Sequence, residues 1–76
     1  MTEVRFPVMT PDGKETGVVA TWYVSDGDTV KAEQLLAEVA INKVDAEVHA
    51  PSDGVIRLGV AEGSEVAQGA LIASLE

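Results

Sequence analysis

The chain has 76 residues with no cysteine and a single histidine, and its 13 acidic residues outnumber 5 basic residues to give a formal net charge of −8. This composition excludes a disulfide framework, a cysteine metal site and a histidine metal cluster. The negative charge argues against binding to nucleic acid or to an anionic membrane surface, and the apolar runs are too short to span a bilayer. The length predicts one domain, covering residues 1–76.

Alternation of apolar and polar residues predicts strands along most of the chain. The clearest case runs from Val44 to Ala50, where every second residue is apolar and the residues between them are polar. Clusters of Gly, Asp, Ser and Pro separate the segments and predict turns. We expect strands near residues 2–6, 17–23, 29–31, 35–41, 44–50, 54–59, 65–67 and 71–75.

The same alternation assigns residues to faces of the predicted sheets. In the second segment one face carries Val18, Ala20, Trp22 and Val24. In the fourth segment one face carries Leu35, Ala37, Val39 and Ile41. The apolar positions of Phe6 and Trp22 predict that both aromatic side chains belong to the core or to its rim.

The second half of the chain repeats the first with a shift of 36 positions, so that residues 24–39 align with residues 60–75. Gly27 and Gly63 fall at equivalent turns, where we expect a positive φ that only glycine adopts at low cost. Such a repeat predicts two-fold pseudo-symmetry with the chain termini close together. The predicted fold class is therefore all-β, a flattened eight-stranded barrel-sandwich of two four-stranded sheets with pseudo-two-fold symmetry.

One segment, residues 31–40, has the composition of a helix, because Lys, Ala, Glu, Gln and Leu are strong helix formers. The equivalent run, residues 67–75, contains Gly69, which costs a helix about 1 kcal/mol relative to alanine. Both runs also fit a turn followed by a strand. We therefore predict strands in both copies.

Asn42 and Lys43 lie where the strand 35–41 ends, and Val44 begins the strand that returns. Asparagine tolerates the positive φ angles that tight hairpin turns need. A lysine at such a turn is exposed, and an exposed amine is protonated and a poor nucleophile at neutral pH. Lys43 is therefore interpreted as an attachment point that another enzyme acylates.

The other polar candidates are interpreted as structural residues. His49 lies on the polar face of the segment 44–50, as a solvated cross-strand residue does, and no acid or nucleophile is positioned with it in the sequence. Asp26 and Asp28 flank Gly27 and are interpreted as turn residues in preference to metal ligands. We therefore predict no catalytic residue and no metal-binding residue.

The order of these motifs resembles the lipoyl domain of 2-oxo-acid dehydrogenase acyltransferase components, within the biotinyl/lipoyl-attachment domain family. The family pattern G-x-V-x-x-W-x-V-x-x-G-D-x-V is present as GVVATWYVSDGDTV in residues 17–30. It is followed by LLAEV in 35–39, AINKV in 40–44, DAEVHAPSDGVI in 45–56 and VAEGSEVAQGALIASLE in 60–76. The resemblance covers nearly the whole chain, and the ordered set around one turn lysine is specific.

The resemblance implies a non-catalytic carrier domain with lipoate in amide linkage on Lys43, supported in the turn by Asn42 and Val44. The group would act as a swinging arm that moves acyl groups between active sites of a 2-oxo-acid dehydrogenase complex. The implied partners are a lipoate ligase or lipoyl/octanoyl transferase, a thiamin-dependent 2-oxo-acid decarboxylase, an acyltransferase catalytic domain and a dihydrolipoyl dehydrogenase. The implied location is the cytoplasm of a bacterium, or the mitochondrial matrix in a eukaryote.

The turn departs from the family's usual E-T-D-K, since Ala40 and Asn42 replace its two acidic residues. Restoring both acids is expected to speed modification without changing the fold. Biotinyl domains usually carry methionine on both sides of the lysine, whereas Asn42 and Val44 flank Lys43. The alternatives are biotin on Lys43 and an unmodified barrel-sandwich interaction module. The chain is expected to be either an excised N-terminal module or a stand-alone carrier.

Overall fold

Strands form in all eight places where the alternation predicts them. The first and last residues of each strand lie within one residue of the predicted bounds. The computed structural model describes residues 2–76. The strands are β1 Thr2–Arg5, β2 Thr16–Trp22, β3 Thr29–Val30, β4 Leu35–Ile41, β5 Val44–His49, β6 Gly54–Leu58, β7 Glu65–Ala67 and β8 Leu71–Leu75. Residues 2–76 contain no helix, and the helix-like composition of residues 31–40 yields a turn followed by β4. Pairing with neighbouring strands outweighs the intrinsic helix propensity of that segment.

The eight strands form two four-stranded sheets, with the orders β1-β8-β6-β3 and β5-β4-β2-β7. Every strand pair in both sheets is antiparallel. Each sheet takes strands from both halves of the chain. The two orders correspond strand by strand: β5 takes the place of β1, β4 that of β8, β2 that of β6 and β7 that of β3. This correspondence confirms the predicted two-fold pseudo-symmetry.

Hydrogen bonds outside the strands repeat with the same symmetry. The Glu33 N–H donates to the Ala50 carbonyl at 2.7 Å, and the Gly69 N–H donates to the Phe6 carbonyl at 2.8 Å. Glu33 and Gly69, which are equivalent under the 36-residue shift, both have a positive φ, of 69° and 80°. The two copies therefore share their backbone conformation at this turn although one has a side chain there and the other has none.

The core lies between the inner faces of the two sheets and is aliphatic apart from Phe6. Its buried residues are Val4, Phe6, Val19, Val30, Leu36, Ala37, Val39, Ile41, Val48, Ala50, Ile56, Val66, Ile72, Ala73 and Leu75. Trp22 packs at the rim of this core, and its indole N–H donates to the Val60 carbonyl at 3.1 Å. The predicted places of both aromatic side chains are confirmed.

Two β-bulges correct the faces predicted from strict alternation. β2 has one extra residue at Ala20 in its pairing with β4, so Val19 is buried before the bulge while Val18 is only half-buried and Ala20 is exposed. β4 has a similar shift at Leu36 in its pairing with β5, and Leu36 is fully buried where Leu35 was expected. An inserted residue changes which face the following side chains occupy, and strict alternation assumes that no residue is inserted.

The two equivalent glycine turns have the positive φ angles predicted for them. Gly27 has a φ of 91° and Gly63 a φ of 85°. The Gly27 N–H donates to the Ile56 carbonyl, and the Gly63 N–H donates to the Val19 carbonyl, each at 2.7 Å. These bonds attach each turn to a central strand of a sheet, so each turn is held in its left-handed conformation by a core strand.

Replacing Gly27 or Gly63 by valine is expected to lower the free energy of unfolding by about 1–3 kcal/mol each, through backbone strain. Steric overlap is not the cause, because a Cβ at Gly63 would meet no atom within 4 Å and one at Gly27 only the Arg57 Nη1 at 3.7 Å. Asparagine tolerates positive φ and is the matched control, with a smaller expected loss. Thermal melts measure the difference, and two valine variants that melt like wild type would contradict the strained, equivalent turns.

Candidate functional site

A two-residue turn joins β4 to β5, and we call its residues, Asn42 and Lys43, the hairpin tip. Ile41 pairs directly with Val44, which leaves only these two residues outside the ladder. Asn42 has a φ of 56°, the left-handed conformation expected for it. A positive φ at the first loop residue characterises the primed turns whose twist matches that of the flanking strands.

The base of the hairpin tip is fixed in the core. Ile41 is 2% exposed and lies against Gly17 at the start of β2. A Cβ at Gly17 would lie 2.6 Å from Ile41 Cγ1 and 2.7 Å from the Ala40 carbonyl oxygen, and it would overlap the Phe6 ring. Only glycine therefore allows β2 to approach the end of β4 this closely. The close packing fixes the direction in which the tip leaves the sandwich.

The hairpin tip and the chain termini lie toward opposite ends of the sandwich. Thr2 pairs with Leu75, which confirms that the two ends of the chain meet. From Thr2 the chain runs to Phe6, and a strand advances about 3.3 Å per residue. The Phe6 ring lies over Gly17 beside Ile41, directly below the tip. Lys43 therefore lies at the end of the sandwich away from the paired residues Thr2 and Leu75.

Lys43 is exposed, and its amine makes no hydrogen bond or ion pair with any residue of the range 2–76. Val44 beside it is 60% exposed, whereas Val48 on the same face of β5 is 7% exposed. The apolar face of β5 is thus covered at the end far from the turn and uncovered at the turn. The hairpin extends beyond the layer of core side chains and carries Lys43 into solvent.

A side chain from another part of the fold reaches the hairpin tip. Asn42 Nδ2 donates a hydrogen bond of 2.7 Å to Glu15 Oε2. Glu15 ends the 6–15 loop, the connection between β1 and β2. Glu15 was not among the site residues predicted from the sequence. The signal available in the sequence was the length of this loop. Residues 6–15 join β1 to β2, whereas the equivalent strands of the second copy, β5 and β6, are joined by the shorter segment 50–53.

Gln68 holds the 6–15 loop against the sandwich. Its amide oxygen accepts hydrogen bonds from the backbone N–H groups of Met9 and Thr10. Its amide nitrogen donates to the Thr10 hydroxyl and to the Glu15 carbonyl, each at 2.8 Å. Gln68 follows directly after β7, so these four bonds tie the middle of the loop and its last residue, Glu15, to the sheet that contains β4.

Asp12 organises the turn within the 6–15 loop. Its carboxylate accepts hydrogen bonds of 3.0 Å from the Lys14 N–H and from the Thr10 hydroxyl. The hydrogen bond from the Lys14 N–H, and after it the one from Thr10, lower the pKa of the Asp12 carboxyl below its usual value. Asp12 is therefore ionised at neutral pH and accepts both bonds there.

The remaining candidates have structural contacts. The Asp26 carboxylate accepts a hydrogen bond of 2.9 Å from the Leu58 N–H, and the Asp28 carboxylate accepts one of 2.8 Å from the Ser25 N–H. These bonds confirm that both residues stabilise turns. Among residues 2–76 there is no group of three or more His, Cys, Asp or Glu side chains arranged to hold a metal ion.

His49 lies exposed on β5, as predicted. Its Nδ1 is 3.0 Å from the Glu33 carbonyl oxygen, and its Nε2 is 3.5 Å from Glu47 Oε1. The imidazole is thus held between the β3–β4 turn and its own strand. Within the same part of the chain, residues 2–76, no ligand-sized pocket is found and no helix has the length and apolarity needed to cross a bilayer.

Comparison with known proteins identifies the family. The biotin/lipoyl family, described as "Biotin-requiring enzyme", matches residues 2–75. The chain is 41% identical over 73 residues to the dihydrolipoyllysine-residue acetyltransferase component of the Zymomonas mobilis pyruvate dehydrogenase complex, covering 93% of the chain and 16% of that protein. It is 39% identical over 74 residues to the succinyltransferase component of the Azotobacter vinelandii 2-oxoglutarate dehydrogenase complex, covering 96% of the chain and 18% of that protein.

The chain thus spans less than a fifth of the length of these relatives. A solved structure matches over nearly its full length. The solution structure of the lipoyl domain of the Azotobacter vinelandii 2-oxoglutarate dehydrogenase complex superposes with a TM-score of 0.81 and 32% identity, covering 100% of this chain and 96% of that one.

Both the sequence match and the shared barrel-sandwich cover the hairpin that carries Lys43. Members of this family hold lipoate or biotin covalently on a lysine, and the lipoyl domain is a carrier with no catalytic site of its own. The chain belongs to the biotin/lipoyl attachment family and has the fold of its lipoyl carrier domains.

Proposed function

We propose that Lys43 carries a lipoyl group in amide linkage and that the domain shuttles acyl groups between active sites of a 2-oxo-acid dehydrogenase complex. The observation that carries this proposal is the position of Lys43, exposed on the two-residue tip of the β4–β5 hairpin with its base locked in the core. A rigid hairpin presents one amine to a modifying enzyme at a defined height above the sandwich.

The charges around Lys43 fit acylation of its amine. Forming an amide removes the positive charge of the lysine, and any ion pair that it made would be lost. Arg5 and Arg57 pair with carboxylates at 2.8 Å and 3.0 Å, but Lys43 pairs with none among residues 2–76. Acylation at Lys43 therefore breaks no ion pair of the described fold.

The lipoyl group, when bound, would supply a cyclic disulfide able to take up an acyl group at one active site and release it at another. The protein contributes the placement of the lysine. Because the hairpin tip lies opposite the termini, chain attached at either terminus would leave Lys43 free to enter a partner's active site. Such tethering raises the effective concentration of the carried group at each partner.

The relatives support the proposal that the domain works within a 2-oxo-acid dehydrogenase complex. They are named as acyltransferase components of pyruvate and 2-oxoglutarate dehydrogenase complexes. We propose the same partners for this chain, namely a thiamin-dependent decarboxylase, an acyltransferase catalytic domain and a dihydrolipoyl dehydrogenase, with a lipoate ligase or lipoyl/octanoyl transferase as the modifying enzyme. The corresponding compartment is the bacterial cytoplasm or the mitochondrial matrix.

Incubation of the protein with a lipoate ligase, lipoate and ATP is expected to add one lipoyl group, on Lys43 alone, as determined by intact mass and peptide mapping. Lys43→Arg should abolish the modification and change the free energy of unfolding by no more than about 0.5 kcal/mol, because the side chain is exposed. Lys14→Arg and Lys31→Arg are matched controls and should be modified like wild type.

Parallel incubation with a biotin ligase, biotin and ATP separates the two cofactors of the family. Biotin on Lys43 with no lipoyl transfer would contradict the lipoyl assignment while keeping the carrier function. A protein that neither ligase modifies would contradict the carrier function and favour an unmodified interaction module.

Ala40→Glu tests whether an acid close to the tip speeds modification. Ala40 pairs across the ladder with Asp45, so a second carboxylate there should lower the free energy of unfolding by about 0.2–1 kcal/mol. The same charge should raise the rate of encounter with a basic ligase surface. Ala40→Gln is the control, with equal size and no charge. Initial lipoylation rates decide the point, and equal rates for the two variants would show that charge at residue 40 has no effect.

A further inference from the structure

We propose that Glu15 is a positioning residue for the modification of Lys43. Its carboxylate holds the Asn42 side chain and thereby limits the conformations of the hairpin tip. This role rests on the proposed function, because it concerns how Lys43 is presented to the modifying enzyme. The contact that carries it is the 2.7 Å hydrogen bond from Asn42 Nδ2 to Glu15 Oε2.

The bond acts on the residue whose conformation shapes the turn. Asn42 is in the left-handed region at a φ of 56°, which is less favourable than the usual right-handed conformation for any residue with a side chain. A hydrogen bond to an ionised acceptor is stronger than one between neutral groups. Holding the Asn42 side chain therefore favours the turn conformation that projects its neighbour, Lys43.

Glu15 can position the tip because its own backbone is fixed. Gln68 Nε2 donates to the Glu15 carbonyl at 2.8 Å, and the next residue, Thr16, begins β2. Thr16 is paired with Ala67 on β7, beside Gln68. The contacts therefore run without interruption from the β2–β7 ladder through Glu15 to Asn42, and they join a rigid part of the sheet to the exposed turn.

The symmetry of the fold supports a local role for this loop. The 6–15 loop joins β1 to β2, and the equivalent strands β5 and β6 are joined by residues 50–53 alone. The second copy builds the same strands without the longer connection, so closure of the sandwich does not require it. Its extra residues end in Glu15, whose side chain contacts the hairpin tip.

This contact also changes the expectation for residue 42. An aspartate there would place its carboxylate against that of Glu15, in place of a donor facing an acceptor. Asparagine at 42 is thus matched to glutamate at 15. The family pattern led us to expect that an acid at residue 42 would speed modification of Lys43. While Glu15 is present, we expect that an acid at residue 42 slows it.

The reaction joins Lys43 Nζ to the carboxyl carbon of lipoate as an amide. The amine loses a proton, and AMP leaves from the carboxyl group that ATP has activated. The lysine must reach the activated carboxyl in one orientation, so restricting the turn beforehand lowers the entropy lost in the enzyme complex. A looser tip should lower kcat/KM for modification and leave the fold intact.

Four variants separate the hydrogen bond from the charge. Glu15→Ala removes the acceptor, Asn42→Asp replaces the donor by a carboxylate, and Glu15→Gln keeps an acceptor without charge. The double variant E15Q/N42D restores a donor–acceptor pair with its direction reversed and has the same net charge as wild type. Glu62→Ala, at an exposed turn of the second copy, is the control for loss of one acid.

Lipoylation by a purified ligase with ATP and lipoate gives kcat/KM, and amide hydrogen exchange at residues 42–44 of the unmodified protein gives the order of the tip. Glu15→Ala and Asn42→Asp should lower kcat/KM about three- to tenfold, the effect of one lost hydrogen bond, with faster exchange. The kcat/KM of Glu15→Gln should fall less than that of Glu15→Ala. The kcat/KM of E15Q/N42D should return to within about twofold of the wild-type value, and that of Glu62→Ala should equal the wild-type value.

Two results would overturn the role of Glu15 alone: a Glu15→Ala protein that is modified and exchanges like wild type, or an E15Q/N42D protein as slow as Asn42→Asp. The second result would show that charge at residue 42, and not the hydrogen bond, controls the rate. A wild type that is never lipoylated would instead contradict the proposed function, and the role of Glu15 with it.

Discussion

Hydrogen bonding of β4 along both of its edges fixes the middle of one sheet and, with it, the base of the hairpin tip. β4 lies between β5 and β2, and its inner face contributes Leu36, Val39 and Ile41 to the core. A strand held on both edges and on one face has little freedom to bend or slip. The hairpin tip can therefore stand clear of the core and still have a defined position, because its last core residue, Ile41, is fixed directly below Asn42 and Lys43.

The two-fold pseudo-symmetry explains why the end of the molecule that carries Lys43 is easy to locate. The strand orders of the two sheets and their turn hydrogen bonds correspond, so most of the fold is built twice. The position equivalent to the hairpin tip is occupied by the paired chain ends at Thr2 and Leu75. The copies differ most in the connection from the first strand to the second, which is longer in the first half and contacts the tip through Glu15. The sandwich itself is symmetric, and the part that differs between the copies, the 6–15 loop, lies beside the hairpin tip.

Most of the fold could be predicted from the sequence because its determinants are local. Alternating apolar residues predicted the strands, and Gly27 and Gly63 predicted turns with a positive φ. Asn42 and Lys43 stood out because they interrupt two clear strands by only two residues, which is a recognised hairpin signal. These patterns depend on backbone conformation within a few residues, so they can be read before any long-range contact is known.

The features that depend on how distant segments are placed relative to one another could not be predicted from the sequence. The bulges at Ala20 and Leu36 arise from how neighbouring strands pair, and they reassign buried faces that strict alternation had placed one residue away. The bond from Asn42 to Glu15 joins residues 27 apart, and the bond from Gln68 to Glu15 joins residues 53 apart. Side-chain hydrogen bonds between such residues leave no periodic trace in the sequence, because they form only once the sheets have brought their backbones together. The strands, the glycine turns with positive φ and the exposed lysine at the hairpin tip were therefore predictable from local patterns, whereas the contact between Glu15 and Asn42 forms only in the packed sandwich.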